Sequence, residues 1–131
     1  MADTNPRLWR RYLVFGLILL GPGWLMFDGV HALVTGDYLT PSSGRFAGQL
    51  GPWAHIFEAI GIDPRSLAVK LLHLAIGAAN IAVGAAWTFG RTDLRKALTA
   101  VVILSAWYIP FGTLAALIIL ILLWSGFARR A

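Results

Sequence analysis

The chain has no cysteine, and only 13% of its 131 residues are charged, six of them acidic. Without cysteine there is no disulfide, no thiolate metal site and no cysteine nucleophile. A soluble domain of this length carries roughly twice that charged fraction. Catalytic signatures are missing as well. There is no HxxxH or HExxH spacing and no phosphate-binding glycine loop. Ser42, Ser43, Ser66, Ser105 and Ser125 lack the setting of a nucleophile elbow. Nothing in the sequence identifies a reaction.

What is present is apolar: 58% of the residues are hydrophobic and the mean hydropathy is +0.71. The length allows one compact unit and no second domain. A net charge of +5 raises the question of nucleic acid. The basic residues sit instead in short groups flanking apolar runs, a pattern of membrane orientation, so no nucleic-acid partner is expected. The groups are Arg7, Arg10 and Arg11; Arg91, Arg95 and Lys96; Arg129 and Arg130. Four membrane crossings put all three on one side, with only Arg45, Arg65 and Lys70 elsewhere. By the positive-inside rule that side is cytoplasmic, in a cell (inner or plasma) membrane, with both termini inside. Arg10 and Arg11 before an apolar run resemble a signal peptide. No small-x-small cleavage site follows, however, and Gly21, Pro22 and Gly23 interrupt the run, so a first span is expected.

The expected fold is an all-α integral membrane protein, a bundle of four transmembrane helices with a short amphipathic surface helix in its first extracytoplasmic loop. The spans fall at about residues 12–34, 66–89, 93–109 and 111–127, each judged against the roughly 20 residues a crossing needs. Pro22 predicts a kink in the first. The last two divide an apolar stretch at Pro110 and Gly112, which leaves each near the lower limit for crossing. Phe46, Leu50, Trp53, Phe57 and Ile60 recur at helical spacing, so a helix over about 52–60 is expected to lie on the membrane surface or as a lid on the bundle. Trp9, Tyr12, Trp87 and Trp124 form one aromatic belt, and Trp53, Trp107 and Tyr108 the other.

Ionisable groups at membrane depth are costly, so each is a functional candidate. Asp28 and His31 in span one, and Lys70 and His73 in span two, are each three apart and share a helix face. The stripe Lys70, His73, Gly77, Asn80, Gly84 and Trp87 is expected to face a stripe of Gly21, Trp24, Asp28 and His31. Gly77 and Gly84 would permit close helix approach. A second set of small residues, Ala75, Ala79, Ala82 and Ala86, offers a packing or docking face.

These residues support several functions. The leading expectation is a non-catalytic accessory subunit or self-associating bundle, whose partners are the lipid bilayer and either further copies or other membrane subunits. In structural terms, Asp28 and Lys70 would form an ion pair and the histidines would tie down the connecting loop. The first alternative is an outer-leaflet binding or redox module. Its cofactor or ligand (metal, haem, quinone or lipid) would meet Asp28, His31, Lys70, His73 and Asn80. A metal would draw on His31, His73, His55 and Glu58. The second alternative, a small proton-coupled transporter through Asp28, Lys70 and Asn80, lacks ionisable partners in the inner half.

Overall fold

The structure is a computed structural model and describes residues 6–125. Arg129, Arg130 and the end of the expected fourth span lie outside the described residues. Those described form helices and turns with no strand: α1 Pro6–Leu20, α2 Trp24–Thr35, α3 Ala54–Ala59, α4 Leu67–Thr88, a 3-10 turn at Thr92–Leu94, α5 Arg95–Leu104 and α6 Phe111–Trp124.

The first apolar stretch breaks where the sequence places its proline. Pro22 has no N–H to donate, and the chain bridges the gap with Gly23 N–H to Ile18 O at 2.6 Å and Trp24 N–H to Gly21 O at 2.9 Å. Gly21 lies so close to Ala115 of α6 that a Cβ there would collide with it. Across this turn, Leu8–Thr35 is long and apolar enough to cross a membrane, and so is Leu67–Thr88. At about 1.5 Å per residue the 22 residues of α4 span roughly 33 Å, against a hydrocarbon core of about 30 Å. α5 has 10 residues and α6 has 14, about 15 and 21 Å. α5 stops at Leu104 because the chain tightens into turns: Ser105 N–H and Oγ both bond the Val102 carbonyl, at 3.0 and 2.6 Å. Residues 105–110 are therefore turn, and Thr113 Oγ1 ties α6 back to the Ala106 carbonyl.

α4 is the central element and packs against α1, α2 and α5, while α6 closes against α1 and α5. Its buried face is Val69, His73, Gly77, Asn80, Gly84, Trp87 and Thr88, the expected stripe in all but Lys70, which is half-buried. The α2 face differs from its expected form. Leu25, Asp28, Gly29 and Ala32 are buried, whereas Trp24 is 42% exposed and His31 half-buried. The stripe centres on Gly29 because that residue meets α4: a Cβ on Gly29 would lie 2.7 Å from Leu74 N. Gly77 returns the contact, since a Cβ there would strike the Met26 backbone.

Two apolar cores result. One holds Val14, Ile18, Trp87, Leu98, Ile119 and Leu123 among others, at the end near the 3-10 turn. The other, at the α3 end, joins Ala32, Tyr38, Trp53, Ala54, Phe57 and Val69, with Trp107 and Tyr108 against it. The short helix expected over about 52–60 is found as α3, Ala54–Ala59, its Trp53 flank and Phe57 turned into the second core.

Candidate functional site

The site lies where α2, the 36–53 connection and the 105–110 turn meet. Asp28 is 5% exposed, and Tyr108 donates its hydroxyl to Asp28 Oδ2 at 2.6 Å. Lys70, the partner expected from charge, is engaged elsewhere: its Nζ donates to Gly36 O at 2.7 Å. Gly36 ends α2 in the left-handed region (φ 97°), its N–H bonding Ala32 O, a geometry that glycine adopts without strain. This turn aims the Gly36 carbonyl at Lys70, which stabilises the last turn of α2 as a cation at a helix C-terminus.

His31 belongs to the same cap. Its Nδ1 donates to Asp37 O at 3.0 Å, and Thr35 Oγ1 bonds His31 O at 2.7 Å. Asp37 then anchors the connection: its carboxylate accepts from Tyr38 N–H at 2.8 Å and Arg65 Nε at 3.0 Å, while Arg65 also reaches Gly48 O. His55 and Glu58 form an exposed pair on α3, 3.3 Å apart. Of the four residues expected to share a metal, His31 and the pair His55 and Glu58 are thus engaged apart, and among the described residues no group of three or more His, Asp or Glu is arranged to hold a metal ion.

His73 is fully buried within a ring of aromatics, its centroid 4.5 Å from Trp53, 4.8 Å from Tyr38, 5.1 Å from Trp107 and 5.9 Å from Tyr108. Its Nδ1 lies 2.8 Å from Val69 O. A carbonyl only accepts, so Nδ1 donates, and Nε2 is buried with no partner among the described residues. Asn80 fastens helices: Nδ2 donates to Ile76 O at 2.9 Å and to Val101 O at 3.0 Å, joining α4 to α5. Of the small-residue stripe, Ala75 and Ala82 are exposed and Ala79 and Ala86 half-buried, while Gly77 and Gly84 are buried.

Beside the aromatic ring lies a cleft of about 720 Å³, within the size range of small-molecule sites. Its walls include Trp24, Phe46, Trp53, Tyr108 and Phe111, and among the described residues Asp28 is the only charged one lining it. Tyr38 closes one side. Burial pushes the Tyr38 phenol well above its usual range, and the carboxylates of Asp28, Asp37 and Asp63 add to the effect, so it stays neutral. Of the site residues expected from the sequence, Asp28 alone lines this cleft; His31, Lys70, His73 and Asn80 stand outside it. Tyr38, Phe46 and the pairing of Tyr108 with Asp28 were not anticipated. A signal for them exists in the sequence: Tyr38, Trp53, Trp107 and Tyr108 all fall in connections that the four-span reading assigns to one end.

The chain matches no family model, no curated protein and no solved structure.

Proposed function

We propose that the chain is a multi-pass integral membrane protein whose working part is a non-catalytic binding site, the cleft at the α3 end. The observation that carries this reading is a cavity of about 720 Å³ with aromatic walls and one buried carboxylate. That combination is suited to holding an apolar molecule by one polar group. Membrane embedding is supported by the outer faces of the helices. α6 buries Gly112, Ala116, Ile119 and Leu123 and exposes Leu114, Leu117, Ile118 and Ile121. A soluble protein does not leave so continuous an apolar face in water.

In this reading both termini are cytoplasmic, the α1–α2 stretch and α4 cross the bilayer, and α5 and α6 are a short pair that enters from the cytoplasmic side and turns back. Their 105–110 turn sits below the far surface, roofed by α3 and the 36–53 connection. Irregular backbone is tolerated at that depth where it is covered by protein or lines a cavity: Ser105 is buried, Ala106 to Tyr108 half-buried, and Ile109 and Pro110 line the cleft. The cleft then opens at the extracytoplasmic interface. Native mass spectrometry of the chain released from its membrane in mild detergent tests the binding role. A retained small-molecule or lipid adduct is expected, lost when Leu39→Trp fills the cleft, since Leu39 lines it and is half exposed. Bare protein mass in both samples contradicts the reading.

A second reading rests on the exposure of Ala75 and Ala82 on α4. Small residues on a lipid-facing surface favour close association with another helix, from a second copy or another membrane subunit. Disulfide cross-linking through Ala82→Cys in membranes is expected if copies associate there. A monomer under oxidising conditions argues against self-association.

A further inference from the structure

We infer that the cleft selects an organic ammonium group carried on an apolar chain; the inference rests on the binding role proposed above and names the ligand class. Asp28 is buried, and among the described residues no Lys or Arg pairs with it. Its sole hydrogen bond is from Tyr108 to Oδ2, and Oδ1 makes none among the described residues. That leaves Oδ1 free to meet an occupant of the cleft, which Asp28 lines. A cationic occupant of the cleft supplies the missing charge.

The walls decide which cation. A hard metal ion takes six or more oxygen ligands, and here one carboxylate stands among rings. An ammonium group, broad and weakly hydrated when alkylated, is attracted by the faces of Trp and Tyr rings. Trp24, Trp53 and Tyr108 line the same cleft as the carboxylate. The rim is apolar as well: Leu39, Phe46 and Phe111 are each more than half exposed, which suits an alkyl or acyl chain leaving the site. Among the described residues no cationic side chain lines the cleft, so an anionic head group would meet Asp28 as a like charge.

The same chemistry reaches the site either as a membrane lipid head group or as a free lipophilic amine. The test uses the intact chain in neutral maltoside micelles and reads tryptophan fluorescence. The probes are octyltrimethylammonium, the neutral isostere with carbon in place of nitrogen, and octyl sulfonate. Phosphatidylcholine and phosphatidylglycerol serve as competitors. The ammonium is expected to bind about tenfold more tightly than its isostere, the sulfonate to bind weakest, and Asp28→Asn to remove the preference. Displacement by phosphatidylcholine but not phosphatidylglycerol assigns the site to a lipid head group; displacement by neither assigns it to a free amine. Equal binding of ammonium and isostere to the unsubstituted chain overturns the inference and leaves the binding role standing. Failure of every probe and lipid to bind overturns both. The ligand series decides the matter even if Asp28→Asn does not fold.

Discussion

The hydroxyl of Tyr108 donates to Asp28 Oδ2 at 2.6 Å, joining two residues 80 positions apart. One is on the buried face of α2 and the other in the turn between α5 and α6. The bond fixes the floor of the cleft and holds that turn against α2. Removing the donor with Tyr108→Phe strands a buried acceptor, which costs about 1–3 kcal/mol. Thermal unfolding in maltoside micelles is expected to show that loss. Replacing both partners, as Asp28→Leu with Tyr108→Phe, is expected to recover part of it.

Gly77 and Gly84 sit on the same face of α4 but face different neighbours. A Cβ on Gly77 would meet the Met26 backbone, which cannot move without shifting α2, whereas a Cβ on Gly84 would meet Ile18 Cδ1 at 2.8 Å, the far end of a flexible side chain. Gly77→Ala is expected to destabilise by about 1–3 kcal/mol, and Gly84→Ala by less than about 1 kcal/mol. Detergent-denaturation midpoints of the two variants check the order. Equal midpoints would contradict the close crossing of α2 and α4.

Tyr38 gives a pH dependence of defined sign. Its phenol is raised above the usual 10.0, chiefly by burial. The unfolded chain therefore releases a proton that the folded chain retains. This group's contribution is fully present below about pH 10 and is lost as pH rises from there through the folded value. Unfolding free energy measured between about pH 8 and pH 11 is expected to fall at the alkaline end, and to fall less steeply in Tyr38→Phe. An unchanged slope in that variant would mean Tyr38 is ionisable in place.

Much of the architecture was legible in the sequence because its signals are local. Pro22 breaks the first apolar stretch, and the stripe from His73 to Trp87 marks the buried face of α4. The spacing of Trp53 and Phe57 anticipates α3, and Gly77 marks a close helix contact. α5 was less legible. The pattern places the end of the third span at residue 109, yet the helix stops five residues earlier, at Leu104, through the bonds of Ser105 to Val102, which no periodicity announces. The cleft was legible only in part. Spacing says which face a residue takes but not what it meets there, so Asp28 was matched with Lys70, the nearest opposite charge. The turn at Gly36 instead presents a carbonyl to Lys70, and the Asp28 partner comes from a distant turn. Trp53, Trp107 and Tyr108, read as an interfacial belt, pack on one another around His73.

The proposed binding cleft opens to the extracytoplasmic side, and the lack of cysteine in the sequence makes this directly testable by labelling. Leu39→Cys places one thiol in the cleft wall, and Thr92→Cys places one in the turn at the opposite end. Each is exposed in intact cells to a membrane-impermeant maleimide. Leu39→Cys is expected to label without permeabilisation and to be protected by octyltrimethylammonium, with Thr92→Cys labelling only after the membrane is opened. Labelling of Thr92→Cys in intact cells with Leu39→Cys silent, or labelling of Leu39→Cys that no ammonium or lipid slows, would contradict the claim.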